Sequence, residues 1–213
     1  MKKILLIVSL ILSASGILLS QEVTQEQKKP RQMMTLTGPD HTGGGYGAFT
    51  AGYSTIQDRH AYEFGFRGMW VINHSIALGF GGTGFANQAM YNSSSGSDNF
   101  LTGGYGGFII EPIVAPMYPV HIAFPILIGG GGISYVETDW EEFDNFVAAT
   151  DFFMLIQPGA EIELNVTRFF RIGLGASYRF PTDFNATATE TPELSPQDLK
   201  GFSYSLSFKF GRF

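Results

Sequence analysis

Apolar and polar residues alternate along most of this chain. Between Phe202 and Phe210 every second residue is Phe, Tyr or Leu, and the residues between them are Ser and Lys. A period of two is typical of a β-strand with one apolar and one polar face, because successive side chains point to opposite sides. The pattern predicts strands in eight segments, at residues 45–55, 61–72, 76–85, 100–114, 120–136, 152–164, 170–180 and 202–210.

The connections between these segments alternate in length. Bacterial outer-membrane barrels join their strands by short periplasmic turns at one end and by longer loops at the other. We therefore predict an all-β fold, an eight-stranded antiparallel up-and-down transmembrane β-barrel with tight periplasmic turns and longer outer loops. The tight turns are expected at residues 73–75, 115–118 and 166–168, and the outer loops at 56–60 (short), 86–99, 137–150 and 181–200.

The pattern also predicts how one pair of strands aligns and where pairing is interrupted. If Ile72 lies opposite Ile76 across the first tight turn, the apolar faces of both strands coincide. Pro125 and Pro158 lie inside two of the segments and cannot donate a backbone hydrogen bond. A bulge or local break is expected at each proline.

A second register follows from the last tight turn. If Asn165 lies opposite Phe169, then Glu163 lies opposite Arg171 on the polar face. Such an alignment makes a cross-strand pair of opposite charges, which stabilises an antiparallel ladder.

The composition of the polar face decides which way it points. A soluble barrel would carry many Lys and Glu on its solvated face, whereas this face is mostly Gly and Ser with a few charges. The interior of an eight-stranded barrel is only just wide enough to be filled by side chains. We therefore expect a lumen filled by side chains, in which three acidic and four basic residues form ion pairs. The alternation around Glu111 does not show whether its side chain also faces inward. The expected lumen charges are Glu63, Arg67, Glu161, Glu163, Arg171, Arg179 and Lys209.

The apolar face then points outward and is rich in aromatic residues. Aromatic rings near both ends of several strands are typical of the girdles at a membrane interface. Phe213 has the opposite parity to Phe202 and Phe210, so either the last residues bend or the terminal residue departs from the alternation. The outward residues are Tyr62, Phe64, Phe66, Trp70, Leu174, Tyr178, Phe180, Phe202, Tyr204 and Phe208.

The first residues have the layout of a secretory signal peptide. Lys2 and Lys3 precede the apolar stretch from Ile4 to Leu12, and small residues follow. Cleavage is expected after Gly16 or after Ser20. An uncleaved anchor is the alternative, but the apolar stretch is well short of the ~20 residues of a spanning helix. We assign residues 1–20 to the signal peptide, 21–43 to a polar periplasmic lead-in and 44–213 to the outer-membrane barrel.

The overall composition agrees with an exported membrane protein. Charged residues make up 15% of the chain, against roughly 25% in an ordinary soluble domain. The chain contains no Cys, so it has neither disulfides nor the Cys of a lipid anchor. Its net charge is −6 and it has no basic patch, so no nucleic-acid partner is expected.

Four runs of residues resemble small outer-membrane β-barrel proteins of the Bacteroidota type. The resemblance covers most of residues 44–213. It implies the same fold and an outer-membrane location, in contact with outer-membrane lipid. The chain also ends on an aromatic residue, Phe213, as proteins inserted by the outer-membrane assembly machinery usually do. The resemblance implies no activity, and no functional residue is carried over from the group. The runs are Arg67–Ser75, Tyr105–Phe108, Leu127–Tyr135 and Asn165–Arg171.

The sequence shows little sign of a catalytic site. His41 lies in the lead-in, His60 at a loop and His74 in a tight turn, where the adjacent Ser75 makes a poor dyad because neighbouring strand residues face opposite sides. His121 has inward parity and is expected to be a hydrogen-bonded lumen residue. We expect no enzyme, no catalytic residue and no cofactor.

The run from Gly129 to Gly132 is not a phosphate-binding loop. No Lys-Ser or Lys-Thr pair follows it, and nothing indicates a helix after it. Small residues are typical of a sharply bent strand at a barrel corner, and we interpret the run in that way.

The outer loop at residues 137–150 is acidic and aromatic. A hard cation such as Ca²⁺ would favour its carboxylates, but their spacing matches no ordered calcium loop, so no metal is expected. Since binding residues tend to lie on loops held by a rigid scaffold, this loop is the expected contact for an unknown surface partner. The candidate contact residues are Trp140, Glu141, Glu142, Phe143, Asp144 and Phe146.

The predicted role is therefore structural or in surface interaction, with three alternatives. The chain could be an outer-membrane lipid-modifying enzyme, a narrow-solute channel, or a secreted soluble β-barrel that binds an apolar ligand inside. The orientation of the two faces separates the last of these, because a soluble ligand-binding barrel requires an apolar lumen and a charged exterior.

Overall fold

The computed structural model of the protein describes residues 43–57, 59–92, 97–139, 144–183 and 196–213. The expected signal peptide lies outside the described residues, as does the expected lead-in except Gly43. No helix in the described part of the chain is long and apolar enough to cross a membrane.

Strands account for nearly all of the described chain. Ten strand segments and one short 3₁₀ helix, Pro196–Leu199, follow one another in the described residues. The strands are β1 (Gly43–Ile56), β2 (Arg59–Ile72), β3 (Ile76–Asn87), β4 (Met90–Asn92), β5 (Ser97–Val114), β6 (Val120–Ala123), β7 (Ile126–Asp139), β8 (Asp144–Asn165), β9 (Phe170–Asp183) and β10 (Gly201–Arg212).

These segments form eight barrel strands in the described chain. The short β4 continues β3 along β5 with its register shifted by one residue. Segments β6 and β7 share one register against both β5 and β8, and so act as a single interrupted strand. Strand β1 pairs antiparallel with β10, from Gly45 opposite Arg212 to Ser54 opposite Ser203. This last pairing closes the sheet and confirms the predicted eight-stranded antiparallel barrel.

The strand breaks at Pro125, as the sequence predicts. Pro125 has no N–H and separates β6 from β7. The neighbouring backbone groups are still paired, since the Phe124 amide donates to the Pro112 carbonyl (2.9 Å) and the Gly159 amide to the Pro125 carbonyl (2.8 Å). At Pro158 the strand β8 is continuous, and only its pairing with β9 lapses, between Ile156 and Gly159.

The predicted register of the first tight hairpin is confirmed. Ile72 pairs with Ile76 and Trp70 with Leu78. Asn73, with φ of 50°, is followed by a second residue of positive φ, and such turns match the twist of the strands they join.

The predicted register of the last hairpin is wrong by two residues. Asn165 pairs with Arg171, and Glu163 lies opposite Gly173. The turn is four residues long because the Thr167 hydroxyl oxygen accepts hydrogen bonds from the amides of the two residues that follow Arg168, at 3.2 and 2.9 Å. Glu163 and Arg171 are diagonal neighbours, with 3.4 Å between Oε2 and Nη1.

Two of the predicted loops are shorter than expected. Strand β7 continues to Asp139 and β8 begins at Asp144, so the predicted loop at 137–150 is mostly strand. The predicted loop at 86–99 also contains strand residues, in β3, β4 and β5. A ladder is held by backbone groups, so it continues through polar sequence where the alternation of side chains fades.

The two faces of the barrel differ sharply in chemistry. Outward-facing Phe66 and Phe80 are 68% and 70% exposed. Among the strand side chains that the structure describes, every Asp, Glu and Lys lies on the inward face. Of the ten residues predicted to face outward, eight are exposed, and neighbouring rings half-bury Tyr178 and Phe208.

The lumen is closed by side chains near the end of the long loops. Leu199 of the 3₁₀ helix is buried with them, so the end of the last loop inserts into the barrel mouth. The wall beside this layer has no room for a side chain, since a Cβ on Gly129 or Gly131 would strike the backbone of β5. The glycine run therefore lies where two strands approach closely. The apolar residues of this layer are Ile56, Ala61, Phe85, Leu101, Ile133, Phe153, Leu155 and Leu199.

Candidate functional site

The structure places all seven predicted lumen charges inside the barrel. They come from four strands, β2, β8, β9 and β10, at positions that share the inward parity. Glu111 of β5, whose parity the sequence leaves ambiguous, is also fully buried there. With it, the described lumen holds four carboxylates and four permanent cations. The acids are Glu63, Glu111, Glu161 and Glu163, and the bases are Arg67, Arg171, Arg179 and Lys209.

Six of these charges gather near the end of the tight turns, in a group that we call the lower cluster. It consists of Glu111, Glu161, Glu163, Arg67, Arg171 and Lys209.

Lys209 is the centre of the lower cluster. Its ammonium nitrogen lies 3.1 Å from Glu111 Oε1 and 3.2 Å from Glu161 Oε2, and it also binds Glu163. The aromatic ring of Tyr46 lies 5.1 Å from the same nitrogen. One buried cation is thus shared by three carboxylates, which come from two different parts of the barrel wall.

Arg67 neutralises the side of the cluster that faces the middle of the lumen. Its guanidinium lies 2.6 Å from Glu161 Oε2 and 3.3 Å from Glu111 Oε2. The Tyr46 hydroxyl donates to Glu111 Oε1 at 2.7 Å, and the Ser207 hydroxyl donates to Glu161. Each carboxylate therefore meets both a cation and a neutral donor, the arrangement that makes burial of charge tolerable.

His121 and Arg171 complete the cluster around Glu163. The His121 Nε2 lies 2.9 Å from Glu163 Oε2. Both His121 and Glu163 are buried, and Arg171 approaches the same carboxylate oxygen. This agrees with the expectation that His121 is a hydrogen-bonded lumen residue.

A second, smaller group lies closer to the loop end, and we call it the upper pair, Glu63 and Arg179. Arg179 Nη1 binds one oxygen of Glu63, and the Ser203 hydroxyl donates to the other at 2.6 Å. Arg179 Nε also donates to the Leu199 carbonyl at 2.8 Å. The upper pair is thereby tied to the 3₁₀ helix in the barrel mouth.

Three carboxylates of the lower cluster are close enough to suggest a cation site. Oxygen atoms of Glu111, Glu161 and Glu163 lie within 4.8 Å of one another, and all three residues are buried. The ammonium group of Lys209 already contacts all three. The position that a metal ion would take is therefore held by a cation that is part of the chain.

In the described part of the chain, none of the histidines considered as a catalytic base, His60, His74 and His121, is paired with a nucleophile in a catalytic arrangement. His60, expected in a loop, is the second residue of β2, and its Nδ1 contacts the Tyr53 hydroxyl. The Ser75 hydroxyl donates to the Asn73 carbonyl at 3.0 Å rather than to its neighbour His74. Nε2 of His121 is engaged by a carboxylate inside the barrel.

Most of the predicted loop contacts fall outside the part of the chain that the structure describes. These residues are Trp140, Glu141, Glu142 and Phe143. The expectation that Asp144 and Phe146 belong to the loop is wrong, since both are in the first part of β8.

Sequence reasoning missed several partners of the lumen charges. Tyr46 and Ser207 have inward parity, but a single aromatic or hydroxyl residue does not show which charge it will meet. Leu199 lies outside the alternating segments, so the sequence pattern did not predict its burial in the barrel mouth. Phe213 packs against Tyr46 inside the barrel, with 5.3 Å between ring centroids.

Comparisons with known proteins give only distant likenesses. No protein-family model matches the chain, and no curated protein matches it. Among solved structures it is similar to the Neisserial surface protein NspA, at 10% identity and a TM-score of 0.49, over 81% of this chain and 97% of that one.

Two further solved structures are similar. Ail, the attachment invasion locus protein of Yersinia pestis in complex with the heparin analogue sucrose octasulfate, matches at 11% identity and a TM-score of 0.45, over 79% of this chain and 97% of that one. A major outer membrane protein of Thermus thermophilus matches at 12% identity and a TM-score of 0.46, over 78% of this chain and 99% of that one. These values are too low to carry an activity or a partner to this chain.

Proposed function

We propose that the protein is an outer-membrane β-barrel of a Gram-negative cell envelope, with a structural or surface-interaction role and no chemistry of its own. The observation that carries this proposal is the separation of charge between the two faces. The described carboxylates and the lysine of the strands are inside, while the exposed surface is built from Phe, Tyr, Trp, Leu and Ile. Such a surface is stable in lipid and would be an aggregation hazard in water.

A closed barrel also meets the backbone requirement of a membrane interior. Every spanning N–H and C=O must be paired, because hydrocarbon offers no hydrogen-bond partner. The pairing of β1 with β10 leaves the barrel strands that the structure describes without a free edge. This supports the membrane barrel over a secreted soluble barrel with an apolar lumen, since the lumen here holds the ion pairs.

The packed lumen directs attention to the loops. The lower cluster and the upper pair close the interior of the described barrel, which argues against an open channel. In the proposed orientation the tight turns and both ends of the barrel chain face the periplasm and the long loops face outward. Contact with a surface partner would then fall to the outer loops, including Trp140, Glu141, Glu142 and Phe143. The resemblance to the Bacteroidota group and the export signal at residues 1–20 are parts of the same proposal.

Fractionation of the cell envelope tests the location and the fold together. We expect the protein in the outer-membrane fraction, with an unboiled gel band that runs faster than the boiled one because the closed barrel survives the detergent. A soluble periplasmic protein without a mobility shift would contradict the proposal. Residues 21–213 expressed without the first 20 residues serve as the control, and should stay out of the outer membrane.

A further inference from the structure

A cavity of about 110 Å³ lies in the middle of the lumen, between the upper pair and the lower cluster. Six side chains that carry a hydroxyl and one that carries an amide line its wall, and we call it the hydroxyl chamber. Glu63 borders it on the side of the upper pair, and Arg67 and Glu161 border it on the side of the lower cluster. The hydroxyl and amide residues are Thr50, Thr83, Tyr105, Ser177, Ser203, Ser205 and Gln157.

The charges that border the chamber are already compensated. Glu63 is bound by Arg179 and by the Ser203 hydroxyl. Glu161 is bound by Arg67 and Lys209. A charged guest would add an uncompensated charge to a buried site, whereas a neutral guest that donates and accepts hydrogen bonds would not.

One buried polar atom of the chamber wall has no hydrogen-bond partner among the described residues, Arg67 Nε at the lower end. Since buried polar groups are nearly always hydrogen-bonded, this donor calls for an oxygen-bearing guest.

The volume limits the size of that guest. An apolar cavity of roughly 150 Å³ holds a benzene molecule, which has six non-hydrogen atoms. A chamber of about 110 Å³ is therefore suited to a compact solute of about six non-hydrogen atoms at most.

The two ends of the chamber are closed to different degrees. On the lower side stand six permanent charges and His121, linked by several ion pairs. On the upper side stands one ion pair, the upper pair, with the apolar layer that includes Leu199 above it and a hydrogen bond of 3.0 Å between Gln57 and Asp198 holding the 3₁₀ helix. The upper closure is held by fewer ion pairs than the lower one.

We propose that the hydroxyl chamber binds a neutral polyol of about the size of glycerol, which enters from the loop end past the upper pair. Neutral hydroxyl groups match the wall, the compensated charges and the unpartnered Nε of Arg67. Water shares this chemistry but is smaller, and the experiment separates the two.

Nuclear Overhauser effects measured on the folded, ¹⁵N-labelled full chain in detergent micelles test the binding. Glycerol is the probe, and sorbitol, which is too large for the chamber, is the size control. We expect contacts between the methylene protons of glycerol and the amides of Gly65, Gly81 and Gly175, and none with sorbitol. Contacts from water alone, or equal contacts from sorbitol, would overturn the proposal.

Two substitutions in the wall separate binding in the chamber from binding elsewhere. Ser205→Leu should abolish the glycerol contacts by filling the chamber, and Thr50→Val, which keeps the volume, should retain them. If Ser205→Leu does not fold, Thr50→Ile, whose side chain is one carbon larger than that of Thr50→Val, should weaken the contacts. Unchanged contacts in a folded, filled variant would refute a site in the chamber.

The rate of glycerol exchange in two variants tests the route by which glycerol enters the chamber. Glu63→Gln weakens the upper pair and should speed exchange of glycerol into the chamber by about tenfold, since roughly 1.4 kcal/mol of barrier corresponds to that factor. Glu163→Gln, which weakens the lower cluster, should leave the exchange rate unchanged. The opposite ranking would place the entrance at the turn end.

Discussion

The guanidinium carbon of Arg171 lies 3.8 Å from the centroid of the Phe213 ring. Phe213 departs from the parity of Phe210 because its side chain turns into the lumen, where it covers the lower cluster and packs against Tyr46. The exposed aromatic ring at this end of β10 is Phe210, which stacks on Phe170 at 4.8 Å between centroids. Phe213 therefore helps to close the lumen, whereas Phe210 belongs to the outward aromatic surface.

Replacing Phe213 by Ala should lower the free energy of unfolding by about 2–3 kcal/mol, through lost packing and a lost cation–π contact. Phe213→Leu, which keeps apolar volume but not the ring, should lose less. Urea unfolding followed by gel mobility measures both. Equal stability of the wild-type protein and Phe213→Ala would show that the ring does not close the lumen.

Lys209→Met should be the most damaging substitution in the lumen, because it leaves three buried carboxylates short of a shared cation. The expected loss is about 3–5 kcal/mol of unfolding free energy. The double variant Lys209→Met with Glu163→Gln removes one charge of each sign and should recover part of that loss. A double variant no more stable than Lys209→Met would contradict the role given to Lys209.

Gly173 has no side chain because the space is taken by the partners of Glu161. A Cβ built at this position would meet the Glu161 carboxylate and lie 2.5 Å from the Ser207 hydroxyl. Gly173→Ala should lower the unfolding free energy by about 1–3 kcal/mol through overpacking. Gly175→Ala is the matched control, since its Cβ would lie 3.1 Å from the nearest atom, the Ser205 hydroxyl. Equal effects of both substitutions would argue against this packing.

Leu174 tests the outward face, where it is 65% exposed. Leu174→Lys should lower the unfolding free energy in lipid vesicles by about 2–4 kcal/mol, the effect of a lysine near the bilayer midplane. Leu174→Ala should lower it less, because no charge is placed in lipid. If the lysine variant is as stable as the alanine variant, this face does not meet hydrocarbon.

The main lines of the fold follow from sequence because the side-chain direction of a strand is a local property. The period of two places Glu63 and Arg171 on the inward face without knowledge of any neighbour. Glu111 could not be assigned in this way, because Phe108, Ile109 and Ile110 before it are apolar in both parities.

The remaining features depend on contacts that alternation does not encode. The register beyond the last tight turn is shifted by two residues, and the Thr167 hydroxyl accepts two backbone hydrogen bonds within that turn. The ends of β7 and β8 depend on backbone pairing that continues through polar sequence, to Asp139 opposite Asp144. Which carboxylate meets Lys209 depends on the stagger of strands distant in sequence.

Fluorescence of Trp70 tests the central claim, that the aromatic face of the barrel meets lipid. The chain has two tryptophans, so Trp140→Phe leaves Trp70, which is 51% exposed, as the single reporter. In vesicles of lipids brominated near the headgroup end of the acyl chain, Trp70 emission should be strongly quenched, while aqueous iodide should have little effect. Quenching by iodide without quenching by brominated lipid would show that the face meets water and that the protein is not a membrane barrel.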